Sequence, residues 1–184
     1  NKNVSIIVVE YEAQLDIIDP VINPNDQNII ILRDKTAIKH GKYGMTSYRS
    51  IIKDDHRSWN IALEDEGTYE VQVIYRMKYD EKDFAIQVGG QELTFKLFGK
   101  APETAEIEEM FDGNETMDEE ETISNFKYGK ASVGNMMLKS GTQTVVFKSG
   151  KEFEFKTTIE EFHKQDRKYR GLNVDVQAIR FVKQ

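Results

Sequence analysis

From Trp59 to Tyr75 the chain reads W-x-I-x-L, a short acidic stretch, then G-T-Y-x-V-x-V-x-Y. Trp59, Ile61 and Leu63 share one parity, and Tyr69, Val71, Val73 and Tyr75 share another run of it. Alternation with period two puts these side chains on one face of a strand and leaves Asn60, Glu70 and Gln72 on the other. Glu64-Asp65-Glu66-Gly67 reads as a polar turn ending on a residue that tolerates positive φ. Two half-buried strands joined by a tight turn are expected to lie in an antiparallel sheet with one wet face.

The same grammar runs through most of the chain. Phe84, Ile86 and Val88, then Gly89-Gly90, then Leu93, Phe95 and Leu97 make a hairpin with a two-residue loop. That loop pairs Val88 with Gln91, Ile86 with Leu93 and Phe84 with Phe95, so every large apolar residue lands on one face. Further strands are predicted at Val4–Glu12, Ile29–Arg33, Gly134–Leu138, Thr142–Lys148, Lys151–Thr157 and Leu172–Val182. The last changes parity between Val176 and Ile179, which predicts a bulge near Gln177-Ala178. Nine or ten short strands at this spacing predict a single all-β domain, an antiparallel sandwich or jelly roll, over residues 1–184.

Charge divides the chain into three. Residues 100–126 hold one basic and ten acidic side chains, whereas residues 127–184 hold 12 basic and six acidic. The block 101–126 reads as an acidic insertion in which Ile107, Met110 and Phe111 begin as a short helix with acids in its first turn. Asp112, Asn114, Thr116 and Asp118 have the odd spacing of a calcium loop, but Met117 stands where such a loop needs Gly and Ile123 where it needs Glu. A surface insertion is the better reading.

A net charge of −7 disfavours nucleic acid as a partner. No apolar run approaches membrane-spanning length, and the absence of cysteine excludes disulfides and thiolate chemistry. The chain begins Asn1-Lys2-Asn3 without Met, as expected of a mature or trimmed form. No H-E-x-x-H, nucleophile elbow or phosphate-binding loop occurs, and His40, His56 and His163 are scattered. A non-enzymatic role is therefore expected.

Four stretches carry a resemblance. They are Ile29–Gly41, Val88–Leu93, Gly134–Val145 and Gly171–Ile179, in that order. The chain resembles the accessory jelly-roll domain at the C-terminus of bacterial α-L-fucosidases. More broadly it is similar to the galactose-binding-like superfamily, with its family 6 and family 35 carbohydrate-binding modules. The resemblance covers about 29–100 and 127–183, leaving residues 1–28 as an added strand or a linker. It implies a bacterial, secreted, periplasmic or cell-surface module in glycan metabolism, with carbohydrate, a catalytic domain or a second copy as partner. Aligned instead on the first strand of family 6 modules, Glu12 and Asp175 match carboxylates that hold a structural calcium there.

Sugar recognition needs a flat aromatic face and fixed hydrogen-bonding groups. The polar stretch 39–57 offers His40, Tyr43, Tyr48, Arg49, His56 and Arg57, and 164–171 offers Tyr169 and Arg170. If the two stretches meet at one rim, tyrosine stacks and arginine hydrogen-bonds; otherwise the tyrosines cap the core and the arginines are solvated. Trp59 shares parity with Ile61 and Leu63, so it is expected in the core rather than as a sugar platform.

Overall fold

The computed structural model describes residues 20–40, 56–77, 81–110, 128–149 and 174–184. The strands expected at Val4–Glu12 and Lys151–Thr157 lie outside these residues. Among those described, the strands in chain order are β1 (Val21–Ile22), β2 (Ile29–Arg33), β3 (Ile38–His40), β4 (His56–Leu63), β5 (Gly67–Met77) and β6 (Glu81–Val88). They continue as β7 (Gln91–Phe98), β8 (Glu103–Thr104), β9 (Gly129–Leu138), β10 (Gly141–Ser149) and β11 (Val174–Lys183).

The strands form two sheets. The first runs β1-β4-β10-β6-β7, with β3 also paired to β4; the second runs β2-β11-β5-β9-β8. Every neighbouring pair is antiparallel except β1 with β4. The expected sandwich is present, with one correction to its wiring. β4 and β5 do not pair with each other; the acidic turn after Leu63 carries the chain from the first sheet to the second. Alternation tells which face of a strand is buried but not which neighbour it pairs with, and two facing sheets bury both apolar faces in one core. The Ser140-Gly141 turn crosses back in the same way between β9 and β10.

The hairpin register is the expected one, Val88 with Gln91, Ile86 with Leu93 and Phe84 with Phe95. Gly89 and Gly90 both adopt positive φ, 56° and 80°, as a primed two-residue turn requires. The bulge in β11 falls between Val176 and Ala178. A second bulge, not foreseen, lies in β9 at Gly134, whose φ is 142° and where an added Cβ would sit 2.9 Å from Leu93 Cδ1.

Between the sheets, Trp59, Ile61, Val145, Phe147, Phe84 and Ile86 face Ile30, Leu32, Val71, Val73, Ile179 and Phe181. Trp59 is in the core, 3% exposed. Its indole N–H donates across the sandwich to the Arg33 carbonyl at 2.8 Å, and Tyr75 Oη donates from the second sheet to the Phe98 carbonyl at 2.8 Å. The N–H of Phe98 returns a bond to the same hydroxyl. These bonds join the two sheets near one end.

The acidic block, so far as it is described, belongs to the fold. β8 adds an edge strand beside β9, and a 3-10 turn follows at Ile107–Met110. Met110 and Ala105, with Tyr128, cover Ile29, Ile31, Ile74 and Ala178 on the outer face of the second sheet. Glu109 receives Lys130 Nζ at 2.7 Å and Arg180 Nη1 at 2.9 Å, which ties the turn down electrostatically. The spacing 112–118 lies outside the described residues.

Two outcomes test this packing. Tyr75→Phe removes the bond to Phe98 and lowers stability by about 1–2 kcal/mol in urea unfolding; an unchanged midpoint and slope would contradict it. Gly134→Ala costs about 1–2 kcal/mol through its positive φ and the crowding of Leu93, read by the same measurement.

Candidate functional site

Both segments expected to carry ligand groups depart from one end of the sandwich. Segment 41–55 leaves β3 after His40 and returns at His56, two residues paired directly across β3 and β4. Segment 150–173 leaves at the end of β10, where Lys148 pairs with His56 and Ser149 with Phe84. It rejoins at Val174, opposite Met77 at the end of β5. The chain then returns to the first sheet at Glu81, which is paired with Phe98, the residue that Tyr75 holds. The turns after Leu63, Val88 and Leu138 lie at the opposite end. The strand ends that bound segments 41–55 and 150–173 therefore share one end of the sandwich, while the stretches themselves lie outside the described residues.

Of the expected ligand residues, His56 and Arg57 are described, whereas Tyr43, Tyr48, Arg49, Tyr169 and Arg170 lie outside the described residues. Arg57 shares the inward parity of Trp59 and is buried. Its Nε lies 2.7 Å from Asp34 Oδ1, and Lys39 Nζ is 3.3 Å from Oδ2 of the same carboxylate. The pair anchors the 3-10 turn Asp34–Thr36 against β4. Arg57 thus braces the rim from inside.

His56 faces outward. Its ring stacks on that of His40, with centroids 4.3 Å apart and planes within 8°. His40 Nε2 lies 2.7 Å from Ser58 Oγ. Along the same outer face, Thr144 donates to Asn60 at 2.9 Å. Gln87 donates to Glu92, whose carboxylate also takes Lys148 Nζ at 3.1 Å. Sequence reasoning missed Ser58, Asn60, Thr144, Gln87 and Lys148 as neighbours, because they come from strands far apart in the chain. The only signal for them was polar residues on the non-core parity of each strand.

Lys82 sits at the same end, on the inward parity of Phe84 and Ile86. Burial pushes its ammonium down to about 8, because the charged form gives up water. Glu109 moves the other way in cause but not in result. Burial raises it, yet the bonds from Lys130 and the Glu106 N–H, with the charges of Lys130 and Arg180, outweigh that and hold it below the usual carboxylate range. An ion-paired acid of this kind suits bracing rather than proton transfer.

Alignment on the first strand of family 6 modules implies Glu12 and Asp175 as calcium candidates. Glu12 lies outside the described residues, and Asp175 is paired in register with Arg76 on β5. No group of three or more potential ligands gathers among the described residues. No helix among them is long and apolar enough to cross a membrane.

Neither a protein-family model nor a curated protein sequence matches the chain. An α-L-fucosidase from Vibrio sp. strain EJY3 superposes on 95% of this chain with a TM-score of 0.54 and 15% identity, and 26% of the fucosidase is covered. The CBM36-1 domain of a multidomain xylanase from the hindgut metagenome of Trinervitermes trinervoides matches 84% of this chain and 96% of its own, at 13% identity and TM-score 0.49. CBM35 from Cellvibrio japonicus Abf62 matches 84% and 92%, at 9% identity and TM-score 0.46. The chain therefore spans about a quarter of the fucosidase. At such identities the likeness is one of fold, an all-β sandwich.

Two outcomes follow for the ionisable groups. The unfolded chain, with Lys82 near 10.5, binds more protons than the folded one between about pH 8 and 10.5, so stability rises with pH through that window and the contribution of Lys82 is flat, at its least favourable, below it. Wild type should gain about 1 kcal/mol over the window relative to Lys82→Met, a figure already reduced for the water that still reaches the amine. Parallel pH curves would contradict the placement of Lys82. Glu109 has the opposite linkage, since its stabilisation is present above the ordinary carboxylate range and is lost as pH falls through its lowered value. Glu109→Gln should abolish that acid-side loss in thermal unfolding.

Proposed function

We propose that the chain is a non-catalytic carbohydrate-binding module whose ligand site lies at the end of the sandwich from which segments 41–55 and 150–173 depart. The observation that carries this reading is the register, in which His40, His56, Lys148 and Val174 bring the bounds of both segments to that end. Tyr43, Tyr48 and Tyr169 supply faces for stacking on the apolar side of a sugar ring, and Arg49, Arg170 and His56 bind its hydroxyls. Arg57, engaged with Asp34, braces the rim. Affinity expected of such a site runs from about millimolar to micromolar, roughly −4 to −8 kcal/mol.

The module is exported from a bacterium and serves glycan metabolism, with no reaction of its own. Calcium at Glu12 and Asp175 would tie the two ends of the chain through hard oxygen ligands. A second reading has a specific motive: this chain covers 26% of the fucosidase on which it superposes. In that reading the domain docks on a catalytic domain or a second subunit and binds no sugar.

Glycan-array binding with and without calcium, comparing wild type with Tyr43/Tyr48/Tyr169→Ala, decides between them. The carbohydrate reading predicts binding that the triple variant loses while its circular dichroism stays native, and calcium dependence would support Glu12 and Asp175 as ligands. No binding under either condition would contradict it and favour the docking role.

A further inference from the structure

Phe98 is the one exposed phenylalanine, tyrosine or tryptophan among the described residues, at 48%. Every other such ring is buried or packs against the core. Alternation explains which way it points. Leu93, Phe95 and Leu97 face the core from β7, so Thr94, Lys96 and Phe98 stand on the outer face of the first sheet. β7 is an edge strand of that sheet, and Phe98 is its last residue. Its pairing with Glu81 places the ring at the end of the sandwich from which segments 41–55 and 150–173 depart.

The backbone beneath this ring is held on both sides. Tyr75 Oη, reaching from the second sheet, donates to the Phe98 carbonyl at 2.8 Å and accepts its N–H at 3.3 Å. Further along, Ala101 packs against the core in space that Gly129 leaves, where an added Cβ would collide with its own. An edge strand presents N–H and C=O groups that lack a ladder partner, and its end frays for that reason. Here one hydroxyl engages both groups of Phe98, so the ring is presented in one place. A ring fixed in advance loses little freedom when a ligand lands on it.

The surroundings suit a sugar ring better than a protein surface. Glu81 lies directly opposite Phe98 on the same face, and Lys96 lies on that face of β7 one alternation away. Their side chains meet at 2.9 Å and are 55% and 46% exposed. An ion pair so open to solvent contributes little by itself and rearranges at small cost. The ammonium keeps further donors, and the carboxylate further lone pairs, for hydroxyl groups around the ring. The other exposed large hydrophobics among the described residues are distant. Val21 lies on β1, at the opposite edge of the sheet, and Met137 pairs with Thr68 near the turns at the other end. A lone ring bordered by charge falls short of the apolar patch that a protein interface requires. It matches the C–H face of one pyranose, whose hydroxyls lie at the periphery.

We propose that Phe98 is a stacking platform for a pyranose ring, with Glu81 and Lys96 meeting its hydroxyls, so that the ligand site continues from the rim onto the end of β7. This rests on the carbohydrate reading and deepens it by adding a platform beyond Tyr43, Tyr48 and Tyr169. A pyranose whose stacked face carries no axial hydroxyl is favoured, because phenylalanine offers nothing to receive one.

The test is isothermal titration calorimetry of the full chain with unsulfated hexaoses of glucose, xylose, mannose and galactose. Phe98→Ala should bind the best of these about tenfold more weakly than wild type. Phe98→Leu, apolar but without a flat face, should lose most of the same affinity, which keeps the test decisive if truncation disturbs the fold. Phe98→Trp should bind at least as well as wild type, and Met137→Ala should bind unchanged, with circular dichroism confirming that each variant folds. By NMR, C–H protons of the bound sugar should move upfield under the ring current, an effect lost in Phe98→Leu. Equal affinity in wild type and Phe98→Leu, or equal losses in Phe98→Leu and Met137→Ala, would overturn the platform and leave the rim reading standing. No hexaose bound by wild type would also overturn it, and a blank glycan array beside that result would remove the rim reading too. Self-association that Phe98→Ala abolishes, with no hexaose bound, would overturn the platform in favour of a contact between copies of the chain.

Discussion

The seat of Trp59 between the two sheets is the constraint from which the rest of the structure follows. Its ring fills the core opposite the aliphatic side chains of β2 and β11, while its N–H reaches the Arg33 carbonyl at the end of β2. Burying a Trp contributes a large apolar area, and a buried indole N–H without an acceptor would forfeit much of that gain. The Arg33 carbonyl removes the conflict and fixes where β2 stops. The chain then turns through Asp34–Thr36, and the Arg57–Asp34 contact holds that turn against the strand bearing Trp59. The position of β3, and with it the His40–His56 pair, depends on this arrangement.

A sandwich exposes two outer faces, and this one treats them differently. The outer face of the second sheet is largely apolar where Ile29, Ile31, Ile74 and Ala178 lie, and the chain covers it with Ala105, Met110 and Tyr128. Glu109, Lys130, Arg180 and Gln72 form the polar border of that cover. The outer face of the first sheet carries polar groups in rows: histidines and lysine, then serine and glutamine, then asparagine and threonine. Its Thr144–Asn60 and Lys148–Glu92 contacts lie in the open rather than beneath another element. The proposed ligand site accordingly sits at the rim of the first sheet, away from the covered outer face of the second.

Much of this fold was legible in the sequence. The Gly89-Gly90 turn and the flanking parity gave a register that the structure reproduces pair for pair, because turn length and burial impose the same alignment. The parity change in β11 located its bulge for the same reason. The partner of β4 was not legible, since a four-residue turn permits a hairpin and a crossing to the facing sheet alike. Nor did the acidic block announce that Met110 would be buried, for its charges masked one apolar anchor. At the site, sequence placed His56 and Arg57 near one another but could not tell their faces apart. Adjacent strand residues point oppositely, so one joins the outer row and the other the internal ion pair. The outer row itself is assembled from β3, β4 and β10, whose members are separated by dozens of residues, and no local motif records it.

The central claim is that ligand binds at the end of the sandwich where segments 41–55 and 150–173 are rooted. The most direct measurement is a map of backbone amide shift changes on the isotope-labelled chain as a bound oligosaccharide is titrated in. The account predicts that the perturbed amides cluster around His40, His56, Lys148 and Val174. Changes centred instead on the opposite turns, at Gly67, Gly89 and Gly141, would contradict it.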